Sequence, residues 1–429
     1  MPKARRTTLV SFFCFLLLSS CHPDEQSITC TDSLGCVILE TKAPIRIGVL
    51  QSLSGKTAPL GQEQLRGLQL ALNERKHALL GHPIVLQIED TGCTSEGGAN
   101  AALKVLADPQ TVAIFGTTCS SAAATASKAM SDAGLTMVSG NNSAPFLTSI
   151  GDKKASNWQP GYFRTAPNEE YSGQAAAYFA YHRLGIRRVA TINDGDIYTC
   201  GLTEGFAHMF TELGGTIVLD AAIDKGDREM GPVLDAVADA KAELLFFPLF
   251  QPEGNDLLTK ARQSPLLEKT ILMSDGALIE NTFISAMGKL ARGMYFVGPS
   301  SASSEKSTLL AQTYLSTFAT VPAVKYYQNG YDAAQLLFHA IERAAILLPE
   351  GGLVIGRGKL RQTLYDSHGF EGVTGPLNCN AFGDCASPQF DILRLTAPER
   401  GVEGLLTNIQ FTFRPKRSRI SPQAQKERP

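Results

Sequence analysis

Several kinds of chemistry are excluded by what this chain lacks. The N-terminal apolar run from Leu9 to Leu18 falls short of the roughly 20 residues that a bilayer-spanning helix needs. Charge of one sign is missing too: 39 Lys and Arg stand against 41 Asp and Glu, a formal net of -2, which argues against a nucleic-acid partner. No C-x-x-C or H-E-x-x-H spacing occurs, so no metal site is expected. No G-x-S-x-G elbow presents a nucleophile, and the seven histidines are scattered from His22 to His368. Gly55-Lys56-Thr57 ends like a phosphate loop, but Leu50 stands where its first glycine belongs. Gly356-Arg357-Gly358 lacks the third glycine of a dinucleotide fingerprint. Neither an enzyme nor a bound cofactor is expected.

What is present begins with an export signal. Lys3, Arg5 and Arg6 precede the apolar run, and Ser19 and Ser20 precede Cys21, which is the pattern of a secretory leader over residues 1–20. Leu18-Ser19-Ser20-Cys21 resembles the lipobox of bacterial lipoproteins, so Cys21 is the expected lipidation site and a membrane partner is expected through that anchor. Processing removes three positive charges and takes the formal charge from -2 to -5. Beyond Cys14 and Cys21, seven cysteines remain, and an exported chain uses them in disulfides. Cys30 with Cys36 and Cys379 with Cys385 are spaced to close small loops. Cys93 with Cys119 ties the end of one strand to the end of the next, leaving Cys200 free.

The length, 429 residues, suits two domains, and 44% hydrophobic with 19% charged residues is a globular composition. Residues 21–43 read as a tether. From Ile45 the pattern alternates: strand 45–50, helix 61–79, strand 84–89, helix 97–106, strand 112–115, helix 121–133, strand 135–139. A second series follows Arg164, with helices at 172–184, 199–213, 230–240 and 254–262 between strands at 188–193, 216–222, 243–248 and 271–274. Such alternation implies βαβ units and parallel sheets covered on both faces. Residues 323–348 carry apolar side chains at helical spacing. Strands at 373–377 and 389–395, around Gly383-Asp384, are expected to run antiparallel, and 414–429 reads as a disordered basic tail.

Five stretches in order resemble the branched-chain amino-acid binding proteins of ABC importers, which are type I periplasmic binding proteins. They are the opening strand into Ser54-Gly55, Phe115-Gly116-Thr117-Thr118-Cys119-Ser120-Ser121, Ser143-Ala144-Pro145-Phe146-Leu147-Thr148, Asn329-Gly330-Tyr331-Asp332-Ala333, and Val373-Thr374-Gly375. The resemblance covers roughly residues 44–413. It implies an α/β fold of two Rossmann-like lobes with parallel sheets joined by a three-stranded hinge. Lobe one would be 44–164 with 299–370, and lobe two 165–298 with 371–413. It also supports the Cys93–Cys119 pair.

A free amino acid brings a carboxylate and an ammonium, and each must trade water for partners. Ser120 and Ser121, at the start of a helix, suit the carboxylate through hydroxyls, backbone amides and helix dipole. The resemblance adds Ser143 on the same side and Asp275, in Met273-Ser274-Asp275-Gly276, as the acid that reaches the ammonium from lobe two. It places Tyr198 and Phe250 as aromatic walls. Asn141 and Asn142 depart from the small residues usual at their positions and favour a polar or larger ligand. The implied protein is an exported, lipid-anchored, monomeric substrate-binding lipoprotein that passes a small solute to ABC permease subunits. A sensor of the same fold feeding a receptor stays open, as does an amide, urea or aromatic acid as ligand.

Overall fold

The structure, a computed structural model, describes residues 1, 30–300, 304–322 and 325–415. Apart from Met1, the expected leader 1–20 lies outside these residues, as do Cys21 and the expected tail beyond Pro415. Strand β1 (Cys36–Leu39) is followed by β2 (Ile45–Gln51), α1 (Ala58–Glu74), β3 (Ala78–Leu79), β4 (His82–Asp90), α2 (Ser95–Leu106), β5 (Thr111–Gly116), α3 (Ser120–Asp132) and β6 (Met137–Ser139). A small ribbon, β7 (Ser149–Ile150) with β8 (Lys153–Lys154), leads to β9 (Tyr162–Arg164). These strands form a six-stranded sheet in the order β3-β4-β2-β5-β6-β9, parallel except for β3. Strand β5 is buried at every position because helices cover both faces of the sheet.

The second sheet repeats the plan. Its elements are α4 (Glu170–His182), β10 (Arg188–Asn193), α5 (Ile197–Glu212), β11 (Thr216–Ala222), α6 (Gly231–Asp239), β12 (Leu244–Phe246), α7 (Glu253–Gln263), β13 (Ile271–Ser274), α8 (Asn281–Met287) and β14 (Tyr295–Pro299). The chain then returns to the first lobe with α9 (Glu305–Phe318), α10 (Tyr327–Ala344), β15 (Ala345–Leu347), β16 (Leu353–Gly356), α11 (Arg357–Tyr365), β17 (Phe370–Gly372) and β18 (Gly375–Leu377). It ends in the second with β19 (Phe390–Arg394), α12 (Gly401–Leu406) and β20 (Ile409–Phe413). The second sheet runs β11-β10-β12-β13-β14-β19-β20, its last two strands antiparallel to their neighbours. In both sheets the strand order reverses beside the first strand, β2 or β10, the place where ligands lodge in open α/β sheets. The expected fold class holds.

Local differences have physical reasons. Residues 36–39, inside the expected tether, form an antiparallel strand on β16, with Val37 and Leu39 buried in the first lobe's core. The helix expected over 323–348 stops at Ala344, where Ala345, Ile346 and Leu347 pair with β16. The strands at 373–377 and 389–395 do not pair with each other: β18 folds back on β17, while β19 joins β14 and β20. Between them the Cys379–Cys385 loop sits in the first lobe's core with Leu377, so that segment packs on lobe one and the last crossing falls after it, not at 371. Asp332 fixes the hairpin by accepting from the backbone amides of Val373 (2.8 Å) and Thr374 (2.9 Å).

All three disulfides read from the sequence are formed, Cys30–Cys36, Cys93–Cys119 and Cys379–Cys385, and among the described residues Cys200 is a free thiol. The lobes are closed on each other. Ala123, Ala126 and Met130 of α3 share one apolar cluster with Leu202 and Phe206 of α5. A Cβ on Gly201 would lie 2.7 Å from Pro145 Cδ, so only glycine lets α5 approach the first lobe this closely.

Candidate functional site

A cleft opens where the C-terminal ends of both sheets meet, with about 540 Å3 of space including solvent at its mouth. Its first wall follows β5. The Thr118 hydroxyl donates to Gln51 Oε1 (2.6 Å) and accepts from the Ser52 amide (2.8 Å), which fixes the loop before α3. Cys119 caps α3 without a side-chain hydrogen bond, its sulfur being tied to Cys93, so the first-turn amides keep their donor capacity. Ser120, 3% exposed, lines the cleft, and its hydroxyl accepts from the Ala144 amide at 3.3 Å. A helix start of this kind favours an anion.

The loop after β6 completes that wall with Gly140, Asn141 and Ser143. The Asn141 side-chain amide donates to the Thr118 carbonyl at 3.0 Å, tying the two loops together. Asn142 is wholly buried and serves the framework: its Oδ1 accepts from the Thr117 amide (3.1 Å) and from the Tyr162 hydroxyl (3.2 Å). Beneath this loop Arg164, fully buried, donates to the Ala144 carbonyl (2.7 Å) and pairs with Asp384 (2.6 Å).

The opposite wall is acidic and aromatic. Tyr198, held at the start of α5 by the Asp196 cap (2.9 Å to the Tyr198 amide), lies 5.3 Å ring to ring from Phe250. Its hydroxyl donates to Asp275 Oδ2. Asp275 is wholly buried, also accepts from the Ala277 amide (3.3 Å), and stands behind Tyr198 instead of lining the cleft. The carboxylate that does line it is Glu169, just before α4. Glu169 is 4% exposed, and its Oε2 has no hydrogen-bond partner among the described residues. Burial and the neighbouring Asp275 push the Glu169 carboxyl up to about 8, although the Ser143 and Tyr198 hydroxyls pull it down. Burial pushes Asp275 up to about 7 against the pull of Tyr198 and the Ala277 amide. Tyr326, at the start of α10, reaches across from lobe one and donates to the Gly276 carbonyl at 3.2 Å.

Of the residues expected from the sequence, Ser120, Asn141, Ser143, Tyr198 and Phe250 come together around one cavity. Two do not line it. Asp275 is shielded by Tyr198, and Ser121 turns away, its hydroxyl donating to the Cys93 carbonyl at 3.4 Å. Sequence reasoning missed Glu169, Thr118, Tyr326 and Asn329. Glu169 reads as an ordinary acidic helix start in Asn168-Glu169-Glu170, and only the fold shows that it faces the cleft. Thr118 stood inside the loop that carried the resemblance and offered a donor of the right type.

Two α/β lobes closed on a small cleft, with hydroxyl and amide donors on one side and carboxylates on the other, define a type I solute-binding protein. The chain belongs to the periplasmic binding protein family, a binding family and not an enzymatic one, whose pattern matches residues 44–384. It is 27% identical over 358 residues to the Leu/Ile/Val-binding protein BraC3 of Rhizobium johnstonii, covering 83% of this chain and 92% of that one. The leucine binding protein LivK of Thermotoga maritima superposes with a TM-score of 0.74 at 23% identity, over 86% of this chain and 99% of that one. A solute binding protein of an ABC transporter from R. palustris, in complex with 4-hydroxybenzoate, superposes with a TM-score of 0.73 at 17% identity, over 86% and 97%. At such identities the structural likeness establishes the fold.

Proposed function

We propose that the protein captures an α-amino acid between its lobes, outside the cytoplasm, and presents it to the membrane subunits of an ABC importer. The observation that carries this reading is Glu169: a buried carboxylate facing the cleft, with a free oxygen and a second buried acid, Asp275, behind it. Such a pair needs a cation, and an ammonium group supplies charge and donors in one small centre. The start of α3, with Ser120 and Thr118, provides for the ligand's carboxylate on the other side. Tyr198 and Phe250 wall the space left for a side chain. The Leu/Ile/Val-binding name of the Rhizobium relative agrees with this ligand class.

In this reading lobe one takes the carboxylate first, and closure then brings Glu169 and Tyr198 onto the ammonium while Tyr326 bonds to Gly276. Cys21 holds the protein to a membrane through lipid, which labelling of the exported protein with a radioactive fatty acid tests. The ligand class is tested by thermal melting against the twenty common amino acids, benzoate and 4-hydroxybenzoate. An amino acid should raise the melting temperature by mass action. Stabilisation by the aromatic acids alone would overturn the reading, since a ligand without an ammonium offers the Glu169 and Asp275 pair no cationic partner.

A further inference from the structure

Among the described residues no lysine or arginine lines the cleft beside its acidic wall. Glu169 and Asp275 come from the two ends of one small cluster, with Tyr198 between them. A Cβ built on Gly276, the residue after Asp275, would fall 4.0 Å from Glu169 Oε1 and 2.9 Å from Tyr326 Oη, so both acids and both phenols crowd one spot. The groups acting on Glu169 come from every packed element: Ser143 from the loop after β6, Tyr198 from α5, Asp275 from the end of β13 and Arg164 from β9. Tyr326, before α10, feels Glu169, Asp275 and also Glu280, which precedes α8. Glu280 is itself satisfied, its Oε2 accepting from Gln251 Nε2 and Thr282 Oγ1, both at 2.8 Å. Arg164 is the one cation among these groups, has the smallest influence on Glu169, and is paired with Asp384.

We propose, building on the amino-acid reading above, that capture is an exchange in which the ligand's ammonium displaces one proton shared by Glu169 and Asp275. Two buried carboxylates joined through a phenol cannot both hold charge without a counter-ion, so the empty cleft keeps a proton in the pair. When the ammonium enters, the carboxylic O–H ionises, its proton passes to water, and the ligand's N–H donates to the freed oxygen of Glu169. No covalent bond of the ligand changes. One cation has replaced another, and the local charge is conserved. The high proton affinity of both groups fits this balance. The consequence is a solute-binding protein that loads near neutral pH and unloads as its surroundings acidify, with affinity falling about tenfold per pH unit once one proton must be displaced.

Isothermal titration of the full mature protein with the amino acid that stabilises it most in the melting panel, run at pH 7 in phosphate and in Tris, reads the exchange directly. The two buffers take up protons with different heats, so release of about one proton per ligand makes the observed enthalpies differ, and affinity should drop about tenfold from pH 7 to pH 6. Glu169→Gln should remove the release, and Asp275→Asn should reduce it. Where Glu169→Gln binds too weakly to titrate, Asp275→Asn alone carries the assignment. Equal heats in both buffers with tight binding would overturn the exchange and leave the amino-acid reading intact. Proton release unchanged in Asp275→Asn would overturn the role of the pair. An absence of binding by every amino acid in the panel would overturn both.

Discussion

Arg164 and Asp384 meet at 2.6 Å with the guanidinium wholly shut off from solvent, joining the last strand of the first sheet to the Cys379–Cys385 loop. Because Arg164 also donates to the Ala144 carbonyl, the pair sets the height of the Ser143 loop in the cleft. Asp384→Ala strands a buried charge and should cost about 3–5 kcal/mol in stability. Urea denaturation measures it, and a loss within 1 kcal/mol would show that water or a neighbouring group replaces the carboxylate.

The Cys93–Cys119 bridge closes 26 residues and ends one position before Ser120. Replacing both cysteines with serine should lower stability by about 2–4 kcal/mol, most of it from a freer unfolded chain. The check is the denaturant midpoint under non-reducing conditions, with the wild type in parallel.

Without ligand, the acidic wall makes stability depend on pH with a definite sign. Glu169 and Asp275 have folded-state values of about 8 and about 7, above those of an unfolded carboxyl. Their contribution is therefore fully present below about pH 4 and is lost as pH rises through about 7 and 8. Compared with the wild type, Glu169→Gln should melt higher at pH 8 and show a shallower decline between pH 5 and 8. Differential scanning calorimetry across that range decides it, and parallel curves for the two proteins would count against a strained acid.

Gly276 leaves room for the hydrogen bond that Tyr326 makes across the cleft. A methyl group there would stand 2.9 Å from the Tyr326 oxygen, tighter than contacts allow, and would force the ring aside. Gly276→Ala should weaken ligand binding by about tenfold, the worth of roughly one hydrogen bond. Titration calorimetry should show the loss while the melting temperature of the empty protein moves by only a few degrees.

Cys200 is half-buried, its sulfur 3.4 Å from Asn193 Oδ1, and burial with nearby carboxylates pushes the thiol up to about 11. A thiol so rarely ionised reacts slowly. Iodoacetamide at pH 8 should modify it at least tenfold more slowly in the native protein than in urea.

The alternation of strands and helices was legible because apolar runs such as Val112 to Phe115 and turn residues repeat on a scale that local sequence records. The loop that leads into α3 and borders the cleft was legible too, since Thr117 to Ser121 sit together in the chain. The acidic wall was not. Glu169 and Asp275 are more than a hundred residues apart, and which of the two faces the cleft depends on the Tyr198 ring that comes between Asp275 and the cavity. The strand at 36–39 escaped notice for a related reason: its partner, β16, lies more than three hundred residues away. The Cys379–Cys385 segment likewise follows the second lobe's pattern in sequence but is held by Arg164 and the first lobe's core.

Strand β1 enters the fold on β16, whose other neighbour β15 follows the C-terminal end of α10, whereas Tyr326 and Asn329 at the other end of that helix border the cleft. Eighteen helical residues span about 27 Å, so the point where the described chain enters lobe one lies about that far from the mouth of the cleft. Asp32 pins the entering chain to the start of α11 through the Gly358 and Lys359 amides (3.0 and 2.8 Å), which makes that base a stiff footing. A tether joined at that base would hold the molecule like a cup by its foot, on the side away from the cleft.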